Sequence, residues 1–298
     1  MRKIVLSPVA AAVPLSPGFL TVSDSPSSNL QPGIPSPETP AQVPDGALVK
    51  DALLSLHRGL PRQGPGSDST TRRLLRMAGP LPAEPRVLDA GCGTGRSALL
   101  MAREAGAYVT AVDVHQPFLD HLATEAIYRG LGNQVVVVNR SMDRLPFPDH
   151  TFDLVWAECS VYTVGLDVAL RAWRRLLTPE GVLVLTEIEW TAPSPAVSVR
   201  AYWDAIYPLR THAENTQAIE AAGYQLHNHW LLPESDWWGE YYTPLSQRVA
   251  VADPHRPGMA QAVASIQAEI ALRRAYASDY NYAAYLLTPA DVPHRYEE

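Results

Sequence analysis

The sequence predicts an α/β fold built on a doubly wound, mainly parallel sheet. Between about residues 85 and 190, strand-like and helix-like segments alternate at the spacing of βαβ units. The strand-like segments are continuous apolar runs such as QVVVVN, as expected where helices cover both faces of a sheet. A glycine-rich turn, AGCGTG, joins the first strand to the helix that follows it. Turns of this kind bind nucleotides, so the turn is the first candidate for a ligand site.

The elements of this alternating region can be assigned in order. DALLSLHRGLP is typical of a short amphipathic helix, and RQGPGSD is a polar turn after which Ser67 or Asp68 caps a second helix, STTRRLLRMA. The predicted strands are RVLDA, YVTAVDV, QVVVVN, FDLVWA and VLVLTEIEW. The helices among them are SALLMAREAGA, PFLDHLATEAIYRGL and DVALRAWRRLL.

The pattern loosens from Thr191 onward. RTHAEN is interpreted as a solvated helix start in which Thr211 and Glu214 have capping-box spacing, and this interpretation includes His212 and Asn215. The helix stops at a glycine and is followed by a strand predicted to place on one face Tyr224, Leu226, Trp230 and Leu232. PESDWWGEYYTPL is expected to be an irregular aromatic loop, AQAVASIQAEIALRRAYA a helix and YNYAAYLL the last strand.

Composition limits the compartment and the class of partner. The 298 residues carry a formal net charge of -7, which argues against a surface built to neutralise nucleic-acid phosphates. Two cysteines, Cys92 and Cys159, cannot form a disulfide framework or a zinc cluster and fit a reducing cytoplasm. No apolar run approaches the roughly twenty residues that span a bilayer, so no membrane partner is predicted. Residues 1–45 are rich in proline and serine and are expected to be a disordered leader, with the folded domain over 46–298.

The glycine turn differs from a dinucleotide site in two respects. Gly91 and Gly93 match the fingerprint Gly-x-Gly-x-x-Gly, but the third position is Arg96. Asp89 ends the preceding strand, where its carboxylate would repel a pyrophosphate and attract an ammonium or sulfonium group. S-adenosylmethionine carries both cations, and its carboxylate can use the free N–H groups at the start of the following helix.

Two further acids follow the next strands. Asp113 ends the strand YVTAVD, where an acid can accept hydrogen bonds from both ribose hydroxyls of an adenosine. Asp143 follows the third strand, where it can accept from the adenine amino group while Met142 packs on the ring. Capping of a short turn is the alternative for Asp143.

DAGCGTGRSA, the acid of AVDVH, SMDRLPFPDHTFDLVWAE and RRLLTPEGVLVLTE resemble the successive motifs of class I S-adenosylmethionine-dependent methyltransferases. The resemblance covers about residues 85–190 and implies a Rossmann-like, seven-stranded sheet with an antiparallel last strand, here followed by a C-terminal aromatic and helical insertion. It implies S-adenosyl-L-methionine as donor and S-adenosyl-L-homocysteine as product, with no metal. The residues that it implies for donor binding are Asp89, Gly91, Cys92, Gly93, Gly95, Asp113, Val114, Met142, Asp143 and Glu158. Cys92 is a small filler with no assigned chemistry.

Catalytic residues are harder to predict, because methyl transfer needs in-line positioning more than proton transfer. Glu158, after the fourth strand, is the candidate for a residue near the sulfonium, with a structural role as the alternative. Tyr162 is the candidate for orienting the acceptor, with packing as the alternative. The residues considered for a lid or an aromatic cover of the sheet are Trp237, Trp238, Tyr241 and Tyr242.

The predicted function is methyl transfer to a small-molecule acceptor in the cytoplasm. RQGPGSD and SDWWGEYYTPL also resemble a small-molecule branch of the superfamily. The donor-binding core is expected over about 85–190, and acceptor or lid elements over about 191–279. The alternatives are a protein or nucleic-acid methyltransferase, a nicotinamide-dependent oxidoreductase, which Arg96 and Asp89 disfavour, and a donor-binding module without catalysis. The acceptor and the oligomeric state are left open.

Overall fold

A mixed sheet organises the protein, as seen in a computed structural model that describes residues 46–290. Its strands are β1 (Arg86–Ala90), β2 (Tyr108–Asp113), β3 (Val135–Asn139), β4 (Phe152–Ala157), β5 (Leu177–Trp190), β6 (Arg210–Thr211), β7 (Tyr224–Leu231) and β8 (Tyr280–Pro289). They are ordered β3-β2-β1-β4-β5-β8-β7, and the two-residue β6 pairs with β5. All pairs are parallel except those of β8, which runs antiparallel to β5 and β7. The predicted fold class is confirmed, with β6 as an addition.

Helices cover both faces of this sheet. They are α1 (Gly46–His57), α2 (Asp68–Met77), α3 (Arg96–Ala105), α4 (Gln116–Tyr128), α5 (Leu166–Arg174), α6 (Val197–Ile206), α7 (His212–Ala221), α8 (Glu234–Trp237), α9 (Thr243–Ala250) and α10 (Met259–Ala275). Apolar side chains of α1 to α4, α9 and α10 form one core with the first face, and those of α5 and α7 form a second core with the other. None of the helices within 46–290 combines the length and the apolar content needed to cross a bilayer. The leader predicted over residues 1–45 lies outside the described residues.

Two predicted helix starts are present with their caps. Ser67, rather than Asp68, is the N-cap of α2, and its hydroxyl accepts a hydrogen bond from the Thr70 N–H. Thr211 and Glu214 form the predicted capping box of α7. Each cap satisfies backbone N–H groups that have no partner inside the helix.

The predicted face of strand β7 is wrong. Tyr224 and Leu226 pack with the α5 and α7 side of the sheet, whereas Trp230 and Leu232 pack with the opposite side. A shift of register between Leu226 and Asn228 separates the two pairs. One extra residue at such a bulge moves every later side chain to the other face, because side chains alternate with a period of two.

The predicted aromatic loop is also wrong, because the segment is helical. Helix α8 runs into a π-helical turn, Trp238–Tyr242, and then into α9. Its buried side chains Trp237, Tyr241 and Leu245 recur every four residues, which is a helical period. Pro244 lies in the first turn of α9, immediately after the π-helical turn, and a proline there cannot donate an N–H to the preceding turn.

Candidate active site

A cavity of about 730 Å³ lies at the carboxyl ends of β1, β2 and β4. Parallel strands place their ends at one edge of a sheet, so side chains far apart in sequence meet there. The cavity wall includes the predicted residues Asp89, Gly91, Cys92, Gly93, Asp113, Val114, Met142, Asp143, Glu158 and Tyr162. Every residue predicted for donor binding or catalysis thus lines one cavity, with the exception of Gly95.

Backbone hydrogen bonds hold the glycine turn against strand β2. The N–H groups of Gly91 and Cys92 both donate to the Val112 carbonyl, at 2.8 and 3.0 Å. Gly91 has a φ of +79°, and a Cβ there would lie 2.4 Å from the Cβ of Ser160. Only glycine fits this left-handed, crowded position. The Cys92 thiol is buried beside two carboxylates, which raises its pKa well above the ordinary value and fits its assignment as a filler.

Gly95 lies at the contact between α3 and α4. It is the N-cap of α3, with a φ of +80°. A Cβ at this position would lie 2.1 Å from a side-chain carbon of Leu122 in α4. Its lack of a side chain lets α3 approach α4, and the prediction that Gly95 binds the donor stays a prediction.

Asp89 places a carboxylate with an unused acceptor at the floor of the cavity. The residue is only 3% exposed, and the N–H of Ala98 in the first turn of α3 donates to its carboxylate. The other oxygen, Oδ2, has no hydrogen-bond partner among the described residues. Burial, reinforced by the nearby charges of Glu158 and Asp113, raises the pKa of Asp89 to about 8. A buried carboxylate with a free oxygen is suited to a cationic ligand, because unpaired buried acceptors are costly.

Asp113 is held rigidly at the end of β2. Its two oxygens accept from the N–H groups of Gly93 and His115, at 3.0 and 2.8 Å. Burial raises the pKa of Asp113 despite these hydrogen bonds. The adjacent Val114 lines the cavity with its side chain 39% exposed. The carboxylate is therefore oriented by the glycine turn on one side and by the N-cap residue of α4 on the other.

Met142 and Asp143 form a second wall of the cavity. Met142 is buried, and its carbonyl accepts from the indole N–H of Trp173 at 2.8 Å. Asp143 accepts from the Ser141 hydroxyl and lies 3.6 Å from the guanidinium of the exposed Arg144. This arrangement presents a flexible thioether next to a carboxylate, which suits a planar ring with an amino group.

Glu158 is the centre of a buried hydrogen-bond network. Its carboxylate accepts from Arg62 at 2.8 Å, from the Thr71 hydroxyl at 2.8 Å and from the Ser97 hydroxyl. Arg62 also pairs with Glu240, at 3.0 Å, and is 6% exposed. Three donors therefore fix the Glu158 carboxylate at the edge of the cavity. Burial opposes the charge of Arg62, but the carboxylates of Glu158 and Glu240 raise its pKa overall.

Sequence reasoning missed that the RQGPG turn enters the cavity wall. Arg62, Gln63, Gly64 and Pro65 all line the cavity. The Gln63 side-chain oxygen accepts from the N–H and the hydroxyl of Thr94, at 3.1 and 3.0 Å, and so braces the glycine turn from outside the sheet. The Gly-Pro-Gly spacing predicts a turn, but the local sequence does not indicate where in the fold this turn lies.

Tyr162 separates the main cavity from a second, much smaller one. It lines both, it is buried, and burial raises its pKa well above the ordinary value. The small cavity, of about 10 Å³, is walled largely by Trp203, Trp237, Tyr241, Glu269 and Tyr282. Of the lid candidates, Trp237, Tyr241 and Tyr242 are buried in the core beside the sheet, and Trp238 is half-buried. Trp237, Tyr241 and Tyr242 therefore form an aromatic cover of the sheet.

A separate cluster lies near the end of β5, outside the cavity wall. Glu189 is buried and its Oε1 lies 2.8 Å from His229 Nε2. Asn215 is buried beside it and donates to Glu189, so its interpretation as part of a solvated helix start is wrong. His212 is exposed, as expected, but its ring lies on that of His229 with centroids 3.8 Å apart. The bulge in β7 places His229 on this face, which the sequence pattern did not indicate.

Comparisons with known proteins agree with this geometry. A sequence profile described as "Methyltransferase domain" matches residues 87–181. The chain is 34% identical over 132 residues to 27-O-demethylrifamycin SV methyltransferase of Amycolatopsis mediterranei, covering 43% of this chain and 48% of that protein. It is 36% identical over 146 residues to nocamycin O-methyltransferase of Saccharothrix syringae, covering 48% of this chain and 49% of the relative. The chain spans about half the length of the curated relatives it matches.

Solved structures show the same fold over most of the chain. The [4+2]-cyclase SpnF is 27% identical with a TM-score of 0.65, covering 81% of this chain and 93% of that one. A S-adenosylmethionine-dependent methyltransferase from Geobacter sulfurreducens, solved with S-adenosyl-L-homocysteine, is 20% identical with a TM-score of 0.68, covering 81% of this chain and 97% of that one.

The sheet order and the solved structures show the fold of class I S-adenosylmethionine-dependent methyltransferases. Within this fold, residues 87–181 match the family described as "Methyltransferase domain". The predicted family and the predicted donor, S-adenosyl-L-methionine, are confirmed.

Proposed function

We propose that this protein transfers a methyl group from S-adenosyl-L-methionine to a small-molecule acceptor. The observation that carries the proposal is the single cavity into which β1, β2 and β4 deliver Asp89, Asp113 and Glu158 together with the glycine turn. The bound donor supplies an electrophilic methyl group on a sulfonium. The residues of this chain bind and orient the two reactants.

In this proposal each acid has one part of the donor to hold. Asp89 accepts from the donor ammonium through Oδ2, the oxygen that lacks a protein partner. Asp113, oriented by Gly93 and His115, accepts from the ribose hydroxyls. Asp143 accepts from the adenine amino group, with Met142 against the ring. Cys92, Val114 and the backbone of the glycine turn complete the wall by contact.

Glu158 is a positioning residue in this proposal. Its carboxylate is occupied by three donors, so it fixes Arg62 and Ser97 at the cavity edge and adds negative potential near the sulfonium. Tyr162 orients the acceptor from the wall between the two cavities. With its pKa well above neutral, the Tyr162 hydroxyl stays protonated and donates a hydrogen bond rather than accepting a proton.

Four observations support a small acceptor in the cytoplasm. The net charge of -7 disfavours a nucleic-acid partner. The small cavity beside Tyr162 is aromatic and is lined in part by Trp203, Trp237, Tyr241 and Glu269 of the 191–279 region, which we propose to be the acceptor elements beside the donor core at 85–190. Cys92 and Cys159 are both free thiols, as expected in a reducing compartment. The relatives described above, by name, methylate a rifamycin and nocamycin.

The test is an extract screen with donor labelled in the methyl group. Label in low-molecular-weight products supports the proposal, and label in protein or nucleic acid overturns its acceptor class. Binding of S-adenosyl-L-homocysteine by calorimetry without transfer to any fraction would instead favour donor binding without methylation. That outcome has a precedent in name, since SpnF is described as a cyclase. The full-length Asp113→Ala variant is the negative control for donor-dependent labelling.

A further inference from the structure

We propose that Glu189, His212 and His229 form a binding site for a divalent metal ion, with Zn²⁺ as the best match. The three side chains come from the end of β5, the first residue of α7 and the middle of β7. One ligand atom from each lies within 4.8 Å of the others. None of the three lines the donor cavity, so the site is additional to the methyl-transfer site.

The residue types select the metal. Two imidazoles and one carboxylate form a mixed nitrogen and oxygen set, which suits Zn²⁺ better than Mg²⁺ or Ca²⁺, whose ligands are mainly oxygens. Three protein ligands with a fourth position open to water is a recurrent zinc arrangement. His212 is exposed at the start of α7, so an ion can reach the cluster from solvent.

The present geometry is close to what the metal requires. Glu189 Oε1 and His229 Nε2 are 2.8 Å apart, as a hydrogen-bonded pair. Ligands about 2.0 Å from a tetrahedral ion stand about 3.3 Å from one another, so these two atoms need to separate by about 0.5 Å. The ring of His212 already lies against that of His229, with centroids 3.8 Å apart. Rotation of two side chains, without backbone movement, is the adjustment that this implies.

A second layer of groups orients the carboxylate. Its other oxygen, Oε2, accepts from the Tyr285 hydroxyl and, at 3.3 Å, from the Asn215 amide. Asn215 also lies 3.2 Å from the Tyr285 oxygen, which completes a closed set of hydrogen bonds. Oε2 is therefore occupied, and Oε1 is directed at the histidines as a single ligand atom. Partners of this kind commonly fix the ligands of metal sites.

The charge of the cluster also favours a cation. Glu189 is 1% exposed, and among the ion pairs of the described residues its partner is His229, which is charged only when protonated. The nearby Arg210 is already engaged by both carboxylate oxygens of Asp167, at 3.0 and 2.6 Å. A buried carboxylate without a permanent cationic partner is costly, and a divalent ion would supply the missing charge.

Zinc binding to the full-length, chelator-treated protein tests the site. Calorimetry with Zn²⁺ should give one ion per chain, and Co²⁺ in its place should show the visible absorption of a tetrahedral site. His212→Ala and His229→Ala should each weaken binding at least tenfold. His227→Ala is the matched control, because His227 lies on the same strand but contacts Thr288, and it should bind like the unaltered protein.

Two results would overturn the proposal. One is binding well below one ion per chain, and the other is unchanged affinity in the double variant of His212 and His229. If His229→Ala fails to fold, as judged by circular dichroism, the exposed His212→Ala decides the question. S-adenosyl-L-homocysteine should bind all folded variants equally, so failure of the metal site and failure of the proposed function are distinguishable.

Discussion

Protonation of Asp89 should couple donor binding to pH. In the free protein its pKa is about 8, because the carboxyl is buried near Glu158 and Asp113. At pH 7 only about one tenth of the molecules then have Asp89 ionised, and ionising the rest costs about 1.4 kcal/mol. An ammonium placed on Oδ2 stabilises the ionised form, so binding at pH 7 should release up to about 0.9 proton per site.

The sign and the size of the pH dependence follow from the same pKa. A cationic group binds the ionised carboxylate, so affinity should rise with pH until the pKa of the free protein is passed. With a pKa of about 8, the ionised fraction grows from about 1% at pH 6 to about 24% at pH 7.5. Affinity for S-adenosyl-L-homocysteine should therefore increase about twentyfold over this range.

Calorimetry in buffers with different ionisation enthalpies measures both quantities, because released protons add the buffer's heat to the signal. Asp89→Asn should give weaker binding, a flat pH profile and no proton release. Asp143→Asn is the matched control, since it removes a carboxylate from the same cavity wall and should keep the slope. A flat profile without proton release in the unaltered protein would refute the assignment of Asp89 to the ammonium.

Three further substitutions test other parts of the site. Asp113→Ala should weaken S-adenosyl-L-homocysteine binding more than tenfold in calorimetry, because two charge-assisted hydrogen bonds to the ribose are lost. Unchanged affinity would contradict the assignment of Asp113 to the ribose. Gly91→Ala should lower the free energy of unfolding in urea by about 2 kcal/mol or more. Gly130→Ala, which is also at positive φ but in open space, should lower it by only about 1 kcal/mol. Equal losses would show that crowding at the turn is unimportant. Arg62→Met should cost about 3 kcal/mol in the same assay, because it removes a buried cation from partly buried carboxylates. Arg72→Met, at an ion pair in which the arginine side chain is 37% exposed, should cost clearly less. Similar losses in both arginine variants would argue against a structural role for the Arg62 network.

The donor side of the cavity could be predicted from sequence because strand ends determine where its acids lie. Asp89 and Asp113 end adjacent parallel strands, and their strands pair with Asp89 beside Ala111. Once the strands are assigned, the sheet brings both carboxylates to one edge, independently of the conformation of the connecting loops. The continuous apolar runs made that assignment secure, since few other structures bury such segments on both sides.

The elements that approach this edge from elsewhere could not be predicted. Arg62 and Glu158 are 96 positions apart, and no local sequence pattern indicates that their side chains are in contact. The bulge after Leu226 adds one residue to β7, so the later side chains of this strand lie on the opposite face from the one predicted. This change of face determines the position of His229, so its contact with Glu189 could not be predicted without knowing the pairing register of β7 and β8. The packing of Gly95 against Leu122 could not be predicted either, because glycine at a turn serves ligand binding and helix packing with the same sequence signature.

The Arg62 network has a consequence for how small a functional version of this protein can be. One guanidinium joins a turn that precedes the sheet, a carboxylate that follows β4 and Glu240 from the π-helical turn. The segment 87–181 that carries the family motifs therefore lacks part of its own ligand wall. A chimaera that grafts this segment onto another methyltransferase would need Arg62, Gln63 and Glu240 in place before its donor cavity closed. Truncation to residues 87–181 would remove β6 to β8 and most of β5, and it would leave the cavity open on the side of Arg62 and Gln63.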